Sequence, residues 1–235
     1  MVRKTKEAAL ATREALIDAA ERAFRRNGVM RTSLADVAAE AGMTRGAIYW
    51  HFRDKAELLE AMCARTTMPM DAALAEAARH PPDDPLAALR ALAVEALTRL
   101  ARDPHTQAVV EILMHKCELS GDLAEGGAGS AQGRASCVAG VEALVRHAVA
   151  RGQLPADTDV MLAARLLHGG VAGLMHDWVA ASDEYDLADA APALVDALVA
   201  GVRAAPPRVR AARPDAESGI RKVAARPAAR GSVGA

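Results

Sequence analysis

The sequence predicts an all-α fold of about nine helices, and three observations carry that expectation. Ala, Leu, Arg, Glu and Asp dominate the 235 residues, whereas runs of Val, Ile, Thr and aromatics, the usual strand formers, are missing. Apolar residues recur at 3.6-residue spacing in one segment after another. Between those segments stand cap residues, glycines and prolines where helices start and stop. Hydrophobic residues make up 51% and charged residues 25%, enough apolar surface to bury a real core.

Residues 1–9 read as a flexible basic arm. In the first helix Leu16, Ala20, Ala23 and Phe24 share a face, and Asn27-Gly28 ends it with a left-handed C-cap. Ser33 starts a second helix, with Asp36 in capping-box register and Leu34, Val37 and Ala38 facing inward. Gly42 breaks that helix after barely two turns. Thr44 caps a third helix, Arg45 to His51. Asp54 and Glu57 form another box that opens a long fourth helix through Leu58, Leu59, Met62 and Cys63. Pro69 lies inside this helix and is expected to kink or split it.

The segment HPPDDP (80–85) is a firm break. Asp84-Pro85 and Asp103-Pro104 each pair a cap with a proline at the first helical position, giving helices near 85–102 and 104–118. Four glycines between Gly126 and Gly133 would each cost about 1 kcal/mol inside a helix, so 120–133 reads as a loop or frayed turn. Helix resumes near Arg134 and ends at Gly152. Two more helices follow, about 158–181 and 190–203. The chain from 204 to 235 is Ala, Arg, Pro and Gly without periodicity and reads as a disordered basic tail.

Charge divides the chain. Residues 1–55 carry 11 Lys/Arg against 7 Asp/Glu, residues 56–203 carry 11 against 21, and the tail carries 7 against 2. A basic amino-terminal unit on an acidic body suits an anionic partner for the first unit.

Residues 33–52 read as helix, tight glycine turn, helix: a helix-turn-helix. Its end, TRGAIYWHF (44–52), holds Tyr49, Trp50 and Phe52, half of the chain's six Trp, Tyr and Phe residues. At 100° per residue, Ala47, Ile48 and Phe52 point inward, Arg45, Gly46, Tyr49 and Trp50 point outward, and His51 lies at the edge. The outward face fits a DNA groove. Arg45 can bond guanine O6 and N7 bidentately, and Gly46 lets backbone approach the duplex. Tyr49 offers a hydroxyl to a phosphate and a ring to a thymine methyl. Thr44, Ser33 and the free N–H groups beside them can bind phosphate oxygens, and Lys55 can add another phosphate contact. The plainer alternative is a helix whose two outer rings pack against another domain.

The stretch TSLADVAAEAGMTRGAIYWHFRDKAELL (32–59) resembles the DNA-binding domain of TetR-family transcriptional repressors. RKTKEAALATREALIDAAERAF (3–24), MHKCEL (114–119) and RGQLP (151–155) resemble the AcrR-type subgroup, which controls multidrug efflux pumps. The resemblance implies that Arg45 and Tyr49 reach bases and backbone. It implies that Thr44, Trp50, His51, Lys55 and Ser33 serve mainly phosphates. It also implies a helix-turn-helix domain over 10–56 and a ligand-binding and dimerisation domain over 57–203.

For the dimer, Gly169, Gly170, Ala172 and Gly173 allow close helix approach and, with Leu194 and Leu198, suit a four-helix bundle between two copies. Packing within one chain is the alternative. Such symmetry places two recognition helices about 34 Å apart for a palindromic operator. Candidate pocket residues are Leu92, Ala96, Val110, Met114, Cys137, Val141, His168, Val171 and Met175, an apolar, Met-containing set suited to a small hydrophobic effector. Each is also an ordinary core residue on its own evidence.

An enzyme is not expected, because no glycine-rich phosphate loop, HExxH or Ser/His/Asp arrangement is evident. No metal or cofactor is expected either: His115, Cys117 and Glu118 are spaced to splay apart on a helix. Cys63, Cys117 and Cys137 lack a CxxC pair and suit a reduced, cytoplasmic protein. There is no apolar stretch of about 18 residues for a membrane span and no apolar signal core near the start. The leading expectation is therefore a homodimeric repressor, released from operator DNA by a hydrophobic ligand, that controls an efflux operon. A repressor of metabolic genes with the same fold, or a helical adaptor that does not bind DNA, are the alternatives.

Overall fold

The computed structural model describes residues 2–116 and 131–209. They form nine α-helices: α1 (Val2–Asn27), α2 (Leu34–Glu40), α3 (Arg45–His51), α4 (Lys55–Arg79), α5 (Pro85–Arg102), α6 (Pro104–Glu111), α7 (Ala131–Ala150), α8 (Val160–Ala180) and α9 (Leu187–Ala204). A π-helical turn, Ile112–Lys116, continues α6. Among the described residues there is no strand, only an isolated antiparallel bridge between Thr158 and Arg208.

The expected stop signals act where they stand. Gly28 and Gly42 take the left-handed conformation, at φ 81° and 67°, that ends α1 and α2. Ser33 and Asp36 form the reciprocal capping box, and Thr44 and Asp54 cap α3 and α4. Asp103 both ends α5 and starts α6: its carboxylate accepts from the N–H of His105 and Thr106 and, at 2.5 Å, from the Thr106 hydroxyl.

Several expectations need correction. The segment expected as an arm is helical from Val2, because nothing in RKTKEAA interrupts good helix formers. α4 is one helix across Pro69, whose loss of one backbone bond is outweighed by the packing of both halves. The helix expected over 104–118 passes into the π turn at Ile112. The expected loop over 120–133 lies outside the described residues as far as 130, and α7 begins at Ala131. α9 starts earlier than expected, because Asp186 caps it, and it continues past Pro192. The tail is ordered as far as Val209. Asp159 N–H donates to Pro207 O at 2.8 Å, Val209 N–H donates to Asp157 O at 2.9 Å, and Arg208 pairs with Asp157. Residues 210–235 lie outside the described residues.

Three apolar cores result. The first joins α1 to α4 around Phe24, Ile48, Phe52 and Met62, and takes in Val109 and Ile112 from α6 and the π turn. The second joins α4, α5, α7, α8 and α9 around Leu86, Leu144 and Ala164. The third packs α5, α8 and α9 around Leu97, Leu100 and Trp178, whose indole N–H donates to Tyr185 O at 3.1 Å. α4 contributes Leu58 and Met62 to the first core and Leu74 to the second.

Polar contacts reinforce the junction of the first core with the body. The Arg65 guanidinium of α4 reaches Asp18 at 2.6 Å and Glu21 at 3.2 Å on α1. His105 of α6 also meets Glu21, at 3.0 Å, and Arg25 meets Glu111 at 2.8 Å. Glu21, only 8% exposed, is thus held between α4 and α6.

The turn between α1 and α2 is fastened from α4. The Lys55 ammonium donates to the carbonyls of Val29, Met30 and Thr32 at 2.7, 3.3 and 3.0 Å. Replacing Lys55 by Met is expected to cost about 1.5–3 kcal/mol in urea unfolding, the usual worth of hydrogen bonds from a charged donor. Amide exchange should rise selectively over residues 29–33.

Asp103→Ala should cost about 1–2 kcal/mol at neutral pH through loss of the α6 cap. Burial alone would raise the Asp103 pKa, but bonds from Thr106 and from the His105 and Thr106 N–H groups outweigh it and hold the carboxyl below its ordinary value. The stabilisation is therefore complete above the ordinary carboxylate range and lost as pH falls through the lower folded value. The difference between wild type and Asp103→Ala should shrink below about pH 4 in chemical unfolding series.

Candidate nucleic-acid interface and effector cavity

The outer face of α3 is set by its inner one. Ile48 and Phe52, 0% and 1% exposed, anchor the helix in the first core. The residues between them then face away: Tyr49 is 48% exposed and Trp50 76%. The Arg45 guanidinium lies 5.5 Å from the Tyr49 ring centre, so the cation and phenol present one continuous surface. A Cβ on Gly46 would approach nothing closer than Thr44 Oγ1 at 3.9 Å, so this glycine faces open space. Among the described residues Arg45, and Arg31 in the turn before α2, are exposed and have no carboxylate partner. Arg31 was not singled out from sequence, because it stands in a turn without periodicity.

Four expected phosphate contacts take on different character. The Ser33 hydroxyl lies 2.7 Å from the Asp36 carboxylate, and accepts from the Asp36 N–H at 3.2 Å, so it serves the cap of α2. Hydrogen bonds from the Ser33 side chain and backbone hold Asp36 below its ordinary pKa, which leaves an anion at that helix start. Thr44 Oγ1 accepts from Ala47 N–H at 3.3 Å, leaving its hydroxyl proton to donate outward. His51 packs edge-on to Trp50 at 4.9 Å, and burial followed by the charge of Arg13 pushes its pKa down. It offers an N–H at neutral pH rather than a positive charge. Lys55, fastened to three carbonyls, positions the turn before α2 instead of reaching outward.

The body contains a cavity of about 180 Å³ between α4, α5, α7, α8 and α9. Seven of the nine expected pocket residues line it: Leu92, Ala96, Cys137, Val141, His168, Val171 and Met175. Val110 and Met114 do not. Val110 packs on the third core, and Met114 falls in the π turn, whose wider winding takes it off the α-helical register. Sequence reading missed Met70 and Leu74 from α4, hidden behind the expected break at Pro69, and Val195 and Val199 from α9.

Leu198 was expected at a subunit interface. It lines the cavity instead, pressed against α8 at Gly170, where an added Cβ would lie 2.8 Å from Leu198 Cδ2. Polar groups are scarce in the lining. Burial, then the charge of Asp71, pushes the Cys137 thiol pKa up, and burial, then Arg134 and Arg165, pushes that of His168 down. Both are neutral at pH 7. No group of three His, Cys, Asp or Glu side chains converges for a metal among the described residues, and Cys117 and Glu118 lie outside them.

On α8, Leu162, Leu166, Gly169 and Gly173 form an exposed stripe, and nothing lies within 4 Å of a Cβ placed on either glycine. No helix of the described residues is long and apolar enough to cross a membrane.

Residues 16–62 match the family model for bacterial regulatory proteins of the tetR family, and 84–203 match that for the C-terminal region of MAATS-type transcriptional repressors. The chain is 43% identical over 188 residues to the probable HTH-type transcriptional regulator ArpR of Pseudomonas putida, covering 80% of this chain and 89% of the relative. Its fold is similar to that of NalD, the secondary repressor of the MexAB-OprM multidrug efflux pump in Pseudomonas aeruginosa. There the TM-score is 0.74 at 31% identity, over 83% of this chain and 97% of NalD. It is also similar to SmeT, the repressor of the Stenotrophomonas maltophilia efflux pump SmeDEF, in complex with triclosan. That TM-score is 0.70 at 31% identity, over 87% of this chain and all of the other. The chain, with an exposed Arg45–Tyr49 face on its first core and an apolar cavity in its body, belongs to the TetR family of transcriptional regulators.

Proposed function

We propose that the protein is a homodimeric repressor of a multidrug efflux operon, and that a small hydrophobic ligand releases it from its operator. The carrying observation is the pairing of an uncovered Arg45–Tyr49–Trp50 face with an apolar cavity that shares α4 with it. The operator-reading unit is residues 10–56, and residues 57–203 bind effector and partner. Arg45 reads a guanine edge, Tyr49 contacts a base methyl or the backbone, and Thr44 and Trp50 contact phosphates. Efflux control is supported by the likeness to NalD and SmeT, both repressors of multidrug efflux pumps.

Ligand in the cavity presses on Met70 and Leu74 and so favours an α4 orientation in which two recognition helices no longer match the groove spacing. α6 moves with it through Glu21, Arg65 and His105. The exposed α8 stripe, with the small outward residues Ala193, Ala197 and Gly201 of α9, forms the dimer.

Footprinting on the DNA upstream of the chain's own gene, with and without triclosan as the first trial effector, tests the whole reading. Protection that is lost with ligand supports it, and no protection at any salt concentration rejects it. Arg45→Ala should lose about 1–3 kcal/mol on the protected sequence and far less on unrelated DNA. Equal loss on both, measured by fluorescence anisotropy, would remove base reading from Arg45. Leu166→Glu places a charge in the α8 stripe and should convert the dimer to monomer in sedimentation equilibrium. An unchanged mass would exclude that stripe from the interface.

A further inference from the structure

Beyond an apolar lining, the cavity carries one feature that discriminates between hydrophobic compounds. His168 of α8 lines it and has no hydrogen-bond partner among the described residues. Every other described lining side chain is aliphatic or a methionine, apart from the Cys137 thiol, a weak partner. The lining contains no carboxylate among the described residues. Two cations, Arg134 of α7 and Arg165 of α8, act on the imidazole, while Asp71 of α4 acts on Cys137 from outside the lining.

Resting on the proposed effector role of this cavity, we propose that His168 is its specificity-determining residue, selecting uncharged, largely apolar ligands that carry one hydroxyl group. An imidazole without a proton on one nitrogen is an acceptor there and a donor at the other. A hydroxyl can donate or accept, so it satisfies whichever nitrogen faces the cavity, whereas a carbonyl satisfies only the donor. A polar group buried in this lining without a partner is costly, so His168 is the place where a ligand's hydroxyl is tolerated. A buried ammonium would have no carboxylate in the described lining to face, so the lining disfavours cationic drugs.

Three biphenyls of nearly equal shape separate these contributions: 4-phenylphenol, 4-methylbiphenyl and 4-(aminomethyl)biphenyl, the last a cation at pH 7. Their dissociation constants are measured by calorimetry on the full chain, on His168→Leu and on His168→Gln. The ratio of phenol to methyl affinity should fall about tenfold in His168→Leu and recover in part in His168→Gln. The amine should bind at least tenfold more weakly than the phenol in all three proteins. An unchanged phenol-to-methyl ratio in His168→Leu, or an amine that binds as tightly as the phenol, overturns the proposal. Ala96→Phe fills the cavity and should abolish binding of all three probes. Binding that persists in that variant would show that the cavity itself is not the site, a failure distinct from one confined to His168.

Discussion

A single continuous helix with one end in each of two cores constrains everything else in this molecule. α4 has 25 residues, roughly 37 Å of helix, and no break divides it. Its first turns place Leu58, Leu59, Met62 and Cys63 under the helix-turn-helix, and its far half places Met70 and Leu74 in the cavity wall. The reader and the cavity therefore share a lever. Close packing at both ends means that neither end can turn without displacing neighbours, so a ligand that moves Leu74 does work on the first core. Lys55 sharpens this, since the first residue of the lever also holds the turn that carries Ser33 and α2.

Polar contacts decide how firmly the lever is held. Exposed ion pairs contribute little, and Arg53–Glu57, with Arg53 85% exposed, is of that kind. Glu21 is different. It is buried, and Arg65 and His105 approach it from α4 and α6 respectively, so removing either partner leaves a carboxylate short of compensation where water is scarce. The α1–α4–α6 junction therefore has a preferred arrangement that apolar packing of Val109 and Ile112 alone would not specify.

Local signals made most of the fold legible in the sequence. Each cap acts within three or four residues, and Ser33, Thr44, Asp54, Asp84 and Asp103 all sit where the sequence puts them. The facing of α3 was legible for the same reason, since Ile48 and Phe52 fix Tyr49 and Trp50 by periodicity. Seven of the nine expected pocket residues line the cavity, reached through inward periodicity on α5, α7 and α8. What escaped depends on contacts distant in sequence. Lys55 meets carbonyls more than twenty residues upstream, and nothing in its neighbours marks it for that role. Residues 207–209 dock on 157–159 by two backbone bonds and the Arg208–Asp157 pair, whose partners lie some fifty residues apart in sequence. The π turn defeated Met114 because an inserted residue leaves no mark on composition.

The two faces of α8 tie the proposed effector site to the proposed dimer. Leu167, His168, Val171 and Met175 turn toward the cavity, while Leu162, Leu166, Gly169 and Gly173 turn to solvent on the same 21 residues. Gly170 lies between these faces and lets α9 approach so closely that Leu198 reaches the cavity. A bulky group at Gly170 would drive Leu198 into the space that a ligand needs, and would also change the angle at which α9 presents its outward alanines. A small residue at Gly170 therefore serves both the volume of the cavity and the geometry of the outer surface. In a dimer built on that surface, a ligand that repacks α8 changes the relation between the two subunits as well as the tilt of α4 within each. The distance between two recognition helices responds to both movements, so even a small cavity can govern it.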